Sequence, residues 1–322
     1  MKALILSGGG ALGAFQVGAE KYAREVKGYR WDLIAGVSVG ALNGAMLAQG
    51  KDQRLYEIWS AEISNRRLYG PLGRKLTSVL WVCGALVRFH LPRSLYPLKP
   101  IRRLVQRELG QGTFQVPLKV GTVSLITGKY EPFTDKHPNI LEAVVASSCM
   151  PIARPLVNVG PDFPWMTDGG VRNTSPIGDV LADVLAADPE DPGELVIINC
   201  LPTDLAPLEK LPKSLVGVAM RSFDLLLNEI FQDDLKEFLS INALVKEAED
   251  SRIVLHHPGN PLTEIEEGNA PATPNRPRRR LRYVPYRLIQ PQTSLGDAQD
   301  FSGEQALRLL DAGRRMAQKV LG

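Results

Sequence analysis

The sequence predicts an α/β protein built on a parallel sheet, and three observations carry that expectation. Two strand–turn–helix units fill the first fifty residues, the pattern from which parallel sheets are assembled. Short apolar or β-branched runs recur further on, at Val116–Leu125 and Leu195–Asn199, between stretches of helical character. The chain has 322 residues, 44% hydrophobic and 23% charged, enough to bury a sizeable core, with the composition of a soluble globular protein.

In chain order, Ala3–Ser7 is the first buried strand. Its apolar part is too short for a signal peptide, and it runs into Gly8-Gly9-Gly10-Ala11-Leu12-Gly13 and a helix at Ala14–Ala23. The second strand, Leu33–Val37, enters Gly36-Val37-Ser38-Val39-Gly40 and a small-residue helix ending at Ala48. A helix is predicted at Gln53–Ile63. Leu76–Val87 is apolar on nearly all sides and flanked by Arg74-Lys75 and Arg88. At about twelve residues it is too short to span a bilayer; it reads either as a buried helix or as a lid or interfacial helix that meets lipid. Lys99–Leu109 is a helix with Pro100 near its start.

Val116–Leu125 and Tyr130–Phe133 are strands about a Gly128 turn. Asn139–Cys149 is a helix stopped by Pro151, Pro155–Val159 a strand, and Pro176 opens a helix to about Ala187. Leu195–Asn199 is a further strand. Leu215–Glu249 is helical with room for one break. The segment about 258–282, rich in Pro, Gly, Asn and Glu, is expected to be a flexible loop. Tyr286–Ile289 is the last strand, and Ser302 caps a terminal helix to Leu321.

The net charge is only +3, but it is uneven. From Ser64 to Arg107 there are ten Lys or Arg and no acidic residue; from Pro274 to Arg287 there are six Arg and again no acid. An acidic body with two basic segments points to a polyanionic surface as partner. The three cysteines, Cys83, Cys149 and Cys200, are scattered without a Cys-x-x-Cys pair, as in a protein of a reducing compartment. The expectation is a cytoplasmic protein in peripheral contact with membrane, compatible also with signal-independent secretion. No metal-ligand spacing or cofactor is implied, and oligomeric state is left open.

Gly36-Val37-Ser38-Val39-Gly40 has the layout of a nucleophile elbow. A strand turns sharply into a helix, and small residues let the backbone crowd behind an exposed serine. Gly8–Gly13 also fits Gly-x-Gly-x-x-Gly, the dinucleotide fingerprint. That fingerprint needs an acidic residue at the end of the second strand, whereas Asp32 precedes the strand and Ser38 ends it. Backbone N–H groups of the same glycine turn, beside Ser38, would instead form an oxyanion hole. A base for the serine could come from His90, His137, His256 or His257, in an α/β-hydrolase triad with Asp168. Alternatively Asp168, followed by Gly169-Gly170 at a strand end, could accept the serine proton directly.

Four motifs in order resemble the patatin-like phospholipase family: Gly8–Gly13, Gly36–Gly40, Ala146-Ser147-Ser148-Cys149-Met150-Pro151, and Asp168-Gly169-Gly170. Asn173, Pro176 and the ending Asp300-Phe301-Ser302 resemble it too. The resemblance covers roughly residues 1–200 and, more faintly, 283–322. It implies a three-layer α/β/α fold with a mostly parallel central sheet, the chain forming one domain with a basic lid-like insertion about 64–107. It implies hydrolysis of lipid carboxylic esters, of phospholipase A or lysophospholipase type, by a Ser38–Asp168 dyad without histidine. Gly8, Gly9 and Gly10 would form the oxyanion hole, supported by motif glycines Gly13, Gly36, Gly40, Gly169 and Gly170. The partner is a lipid or phospholipid, with membrane contact through segments 64–107 and 276–287 and no nucleic acid. In one respect the sequence departs from the family: many members carry Arg or Lys where Leu12 stands, which weakens an expectation of phospholipid preference.

Overall fold

The computed structural model describes residues 1–69, 79, 94–188, 193–202, 215–256 and 281–322. The predicted helix at Leu76–Val87, apart from Val79, lies outside the described residues. So do Cys83, His90, His257, Arg276–Arg280 and the loop predicted from residue 258 onward.

Seven strands form one sheet: β1 (Lys2–Leu6), β2 (Leu33–Val37), β3 (Leu118–Ser124), β4 (Tyr130–Thr134), β5 (Met166–Asp168), β6 (Glu194–Ile198) and β7 (Tyr286–Ile289). The order is β4-β3-β2-β1-β6-β7, with β5 paired to β3. Pairings from β3 through β7 are parallel; only β4 and β5 run antiparallel, both against β3. The expected mostly parallel α/β architecture is therefore present.

The helices are α1 (Gly13–Glu25), α2 (Val39–Ala48), α3 (Asp52–Glu57), α4 (Asn65–Tyr69), α5 (Lys99–Leu109), α6 (Ile140–Ser147), α7 (Ile177–Ala187), α8 (Leu215–Asp250) and α9 (Gly303–Leu321). They cover both faces of the sheet, which is why the central strands are apolar throughout instead of alternating. Leu4 and Leu6 of β1, with Ile34, Val196 and Ile198, pack toward α1, α2 and α9. Ala3 and Ile5, with Leu33, Ala35, Leu195 and Ile197, pack toward Ile177, Val180 and Val184 of α7 and Phe231, Leu235 and Phe238 of α8. Ser302 caps α9 by accepting the Gln305 N–H at 3.3 Å, as its sequence position predicts.

Three local expectations are corrected. Pro155–Val159 is not a strand. Only Val157 bridges Met166; Pro155 has no N–H to donate to a ladder, and Val159 N–H donates to the Phe163 carbonyl at 2.9 Å. The strand lies instead at Met166–Asp168. Leu215–Asp250 is a single 36-residue helix without a break. The helix predicted at Gln53–Ile63 is α3 followed by a π turn at Ile58–Glu62.

The described parts of the basic segments meet the acidic body. Arg67 pairs with Glu62 at 2.5 Å, Arg102 with Glu142 at 2.8 Å, Arg107 with Glu108 at 2.5 Å and Arg287 with Glu194 at 3.2 Å. Among the described residues no helix is long and apolar enough to cross a membrane.

Candidate active site

Ser38 stands between β2 and α2 at φ 58°, ψ −126°, a conformation that a side chain other than glycine adopts only when its surroundings enforce it. The enforcement is steric. A Cβ on Gly36 would lie 2.2 Å from the Gly40 carbonyl oxygen, and one on Gly40 would lie 2.2 Å from that of Leu6. Both glycines are therefore required for β2, α2 and β1 to approach this closely. The Ser38 N–H donates to Ser147 Oγ at 2.9 Å, and Ser147 Oγ donates to the Gly121 carbonyl at 2.7 Å. The strained residue is thus tied to α6 and β3.

Asp168 reaches Ser38 through strand register. On β3, Leu118–Gly121 pair with β2, ending at Val37↔Gly121. The next residue, Thr122, pairs with Asp168. Because β4 occupies the other side of β3 over Lys119–Val123, β5 lies on the β2 side and meets the end of β2 head-on. The last residue of β5 and the residue after β2 are thereby neighbours, and the Ser38 side chain stands close enough to the Asp168 carboxylate to favour its ionised form. Asp168 is held in turn by the Gly170 N–H at 2.8 Å, and its own N–H donates to the Cys149 carbonyl at 3.2 Å. Gly169 admits the Gly121 carbonyl, which a Cβ would approach to 2.5 Å. Burial pushes the Asp168 carboxyl up to about 6, against the bonds from Ser38 and Gly170 that favour the ionised form.

The glycine turn lies beside this pair: a Cβ on Gly8 would be 3.4 Å from Ser38 Cβ. Its three amides differ. Gly8 is buried and its N–H is engaged by the Thr174 carbonyl at 3.1 Å. That bond occupies the Gly8 N–H. Gly9 and Gly10 are half-buried and line the cavity; no acceptor among the described residues engages their N–H groups. The turn is held from afar. Ala11 N–H donates to the Ala298 carbonyl at 2.7 Å, and Gly9, at φ 155°, packs where a Cβ would strike Cys200 Cβ at 2.5 Å. Gly13 opens α1 against Val39 and Asn43. A buried amide network completes the support. Gln16 donates to the Ser7 carbonyl at 2.7 Å, Asn43 to Gln16 at 2.9 Å and Trp59 to Asn43 at 3.0 Å.

Ser38, Gly9, Gly10 and Asp168 open onto a cavity of about 330 Å³. Its walls are mainly apolar: Leu42 and Met46 of α2, Ile58 and Trp59 of the π turn, and Ile101 and Val105 of α5, among others. Residues 294–299 and Phe301 contribute from the C-terminal part. The lining of such a space suits apolar groups.

The described histidines are elsewhere. His137 packs edge-on against Phe133 and Phe163 and accepts the Asn139 N–H; neither it nor His256 lines the cavity. Nor do the surroundings fit a dinucleotide. Asp32 accepts the Lys2 N–H at 2.7 Å, at the start of β1 and so at the opposite end of the sheet from the glycine turn. Among the described residues no group of three or more His, Cys, Asp or Glu is arranged to hold a metal ion. Cys149 and Cys200 are free and buried, and burial pushes both thiols up to about 12.

The Patatin-like phospholipase family matches residues 4–181, more than half of the chain and all four motifs. The chain belongs to the patatin-like phospholipase family. This is a family of lipid acyl hydrolases. The crystal structure of VipD from Legionella pneumophila is similar at a TM-score of 0.43 and 12% identity, covering 99% of this chain and 66% of that one; the chain thus spans just under two thirds of its length. No curated protein matches.

Sequence reasoning missed the supporting residues. Ser147 lies within a recognised motif but had no role assigned, and Thr174, Asn43 and Ala298 carried no local signal at all. Each acts over more than twenty residues of sequence separation.

Proposed function

We propose that this family member hydrolyses carboxylic esters of lipids through an acyl-enzyme on Ser38, with Asp168 as general base. The observation that carries the reading is Ser38 placed beside a buried carboxylate at the wall of an apolar cavity. In this mechanism Ser38 Oγ attacks the ester carbonyl as its proton passes to Asp168. A carboxyl titrating near 6 is largely ionised at neutral pH yet basic enough to take that proton. The amides of Gly9 and Gly10 hold the oxyanion. Asp168 then returns the proton to the leaving alcohol or lysolipid. Water, deprotonated by Asp168, cleaves the acyl-enzyme, and Ser38 regains its proton. The acyl chain occupies the space between α2 and α5. The whole chain acts as one domain in this reading, since segment 294–301 helps to wall the cavity.

The test is hydrolysis of p-nitrophenyl esters and lysophospholipid by wild type, Ser38→Ala and Asp168→Asn, with alkyl fluorophosphonate labelling of Ser38. Ser38→Ala should lower kcat by at least about a thousandfold, and Asp168→Asn by about a hundred- to ten-thousandfold. Full activity in either variant would reject the dyad.

A further inference from the structure

The cavity contains a buried cation that the hydrolytic chemistry does not use. Arg154 lies seven residues beyond Ser147 of α6, lines the cavity and is only 8% exposed. One terminal nitrogen donates to the Pro97 carbonyl at 3.0 Å and the other to the Leu68 carbonyl at 3.1 Å. The guanidinium lies 5.8 Å from the centre of the Tyr69 ring, which packs on Tyr96 at 4.6 Å; both tyrosines also line the cavity. A guanidinium has five N–H donors, so these two bonds leave donors over. No carboxylate among the described residues lies within ion-pair distance of it. Burial lowers its basicity, and no carboxylate offsets that.

An uncompensated buried guanidinium is unfavourable unless something anionic completes it. It stands in the wall of a space otherwise suited to hydrocarbon. It lines the same cavity as Ser38 and Asp168. We propose that Arg154 is an anion subsite of the substrate cavity, taking the phosphate of an anionic (lyso)phospholipid while the acyl ester lies at Ser38. The inference rests on the lipid-hydrolase reading for its occupant. It also reassigns the source of positive charge. Where Leu12 leaves the glycine turn without a cation, Arg154 supplies one to the same cavity. The Arg fork suits bidentate contact with phosphate oxygens.

The experiment is binding, so that it does not depend on turnover. In a Ser38→Ala background, titration calorimetry compares 1-lauroyl-lysophosphatidylglycerol, 1-lauroylglycerol and laurate, each below its micelle-forming concentration. The expected result is a preference of about tenfold or more for the phosphate-bearing lipid over the neutral one. Arg154→Met should abolish that preference while leaving 1-lauroylglycerol within about twofold, and Arg154→Lys should retain part of it. Equal binding of the two lipids in the Arg154 background overturns the proposal without any Arg154 variant, whether or not that variant folds. A preference that survives Arg154→Met also overturns it. Loss confined to laurate would assign the cation to the product carboxylate and reject the phosphate. Absence of ester hydrolysis with an intact Arg154-dependent preference would reject the catalytic reading and leave the subsite standing.

Discussion

The two glycine-rich turns that open the chain look alike and are built differently. Both join a parallel strand to a helix, and β1 and β2 are adjacent in the sheet. The Ser38 elbow is made largely by its own neighbourhood: Gly36 meets Gly40, and Gly40 meets Leu6. The Gly8–Gly10 turn is shaped by residues more than 150 positions away, namely Thr174, Cys200 and Ala298. One turn presents a side chain and the other presents bare amides. A presented side chain needs only a locally forced backbone. Presented amides need neighbours that engage the wrong N–H groups and leave the right ones open.

The comparison can be broken most severely at the elbow. Gly40→Ala would drive a Cβ to 2.2 Å from one backbone carbonyl oxygen and 2.7 Å from another. Activity should vanish, with a stability loss of about 3 kcal/mol by thermal or denaturant unfolding. Gly10→Ala tests the other turn. Its φ is 56° and its Cβ would fall 2.4 Å from the Ala298 carbonyl that anchors Ala11. Here activity should fall about a hundredfold, the scale of losing one oxyanion donor, with fluorophosphonate labelling slowed in parallel and the fold retained. Ser147→Ala removes the acceptor of the Ser38 N–H. The expected outcome is a stability loss of about 2 kcal/mol and a smaller fall in kcat, about tenfold. If Ser147→Ala were silent in both measurements, the elbow would be held by sterics alone.

The gentlest probe is pH. In the proposed mechanism Asp168 acts as a base only when ionised, and burial raises its carboxyl to about 6. kcat/KM should therefore rise with pH through about 6 and level off above it, falling about tenfold between pH 7 and 5. Stability runs the other way. The folded value lies above the ordinary 3.8, so the fold binds this proton more tightly than the unfolded chain does. Its contribution is full below about 4 and is lost as pH rises toward 6. Asp168→Asn should flatten both profiles.

What the sequence made legible follows the same division. The buried strands β1, β2 and β6, the elbow and the Asp168-Gly169-Gly170 turn are local patterns, and each lies where the sequence predicts it. The strand end at Asp168 is legible, but the extra strand expected at Pro155–Val159 is a single bridge from Val157 to Met166. The engagement of the Gly8 N–H depends on a single carbonyl, that of Thr174, and the Arg154 environment on those of Leu68 and Pro97. Backbone acceptors contributed from distant segments leave no residue-type signature.

The meeting of β2 and β5 along β3 has a consequence for tolerance. Ser38 and Asp168 are placed by consecutive rungs of one ladder, Gly121 and Thr122. Displacement along such a ladder comes in whole residues of about 3.3 Å, since intermediate positions forfeit the backbone bonds. The distance between the two groups is therefore quantised. Mild strain elsewhere in the molecule leaves it unchanged, whereas a one-residue insertion or deletion in Thr122–Ser124 moves the partners out of reach in one step. Such a variant should lose ester hydrolysis, which makes β3, a strand that contributes neither Ser38 nor Asp168, the measuring rod of the site.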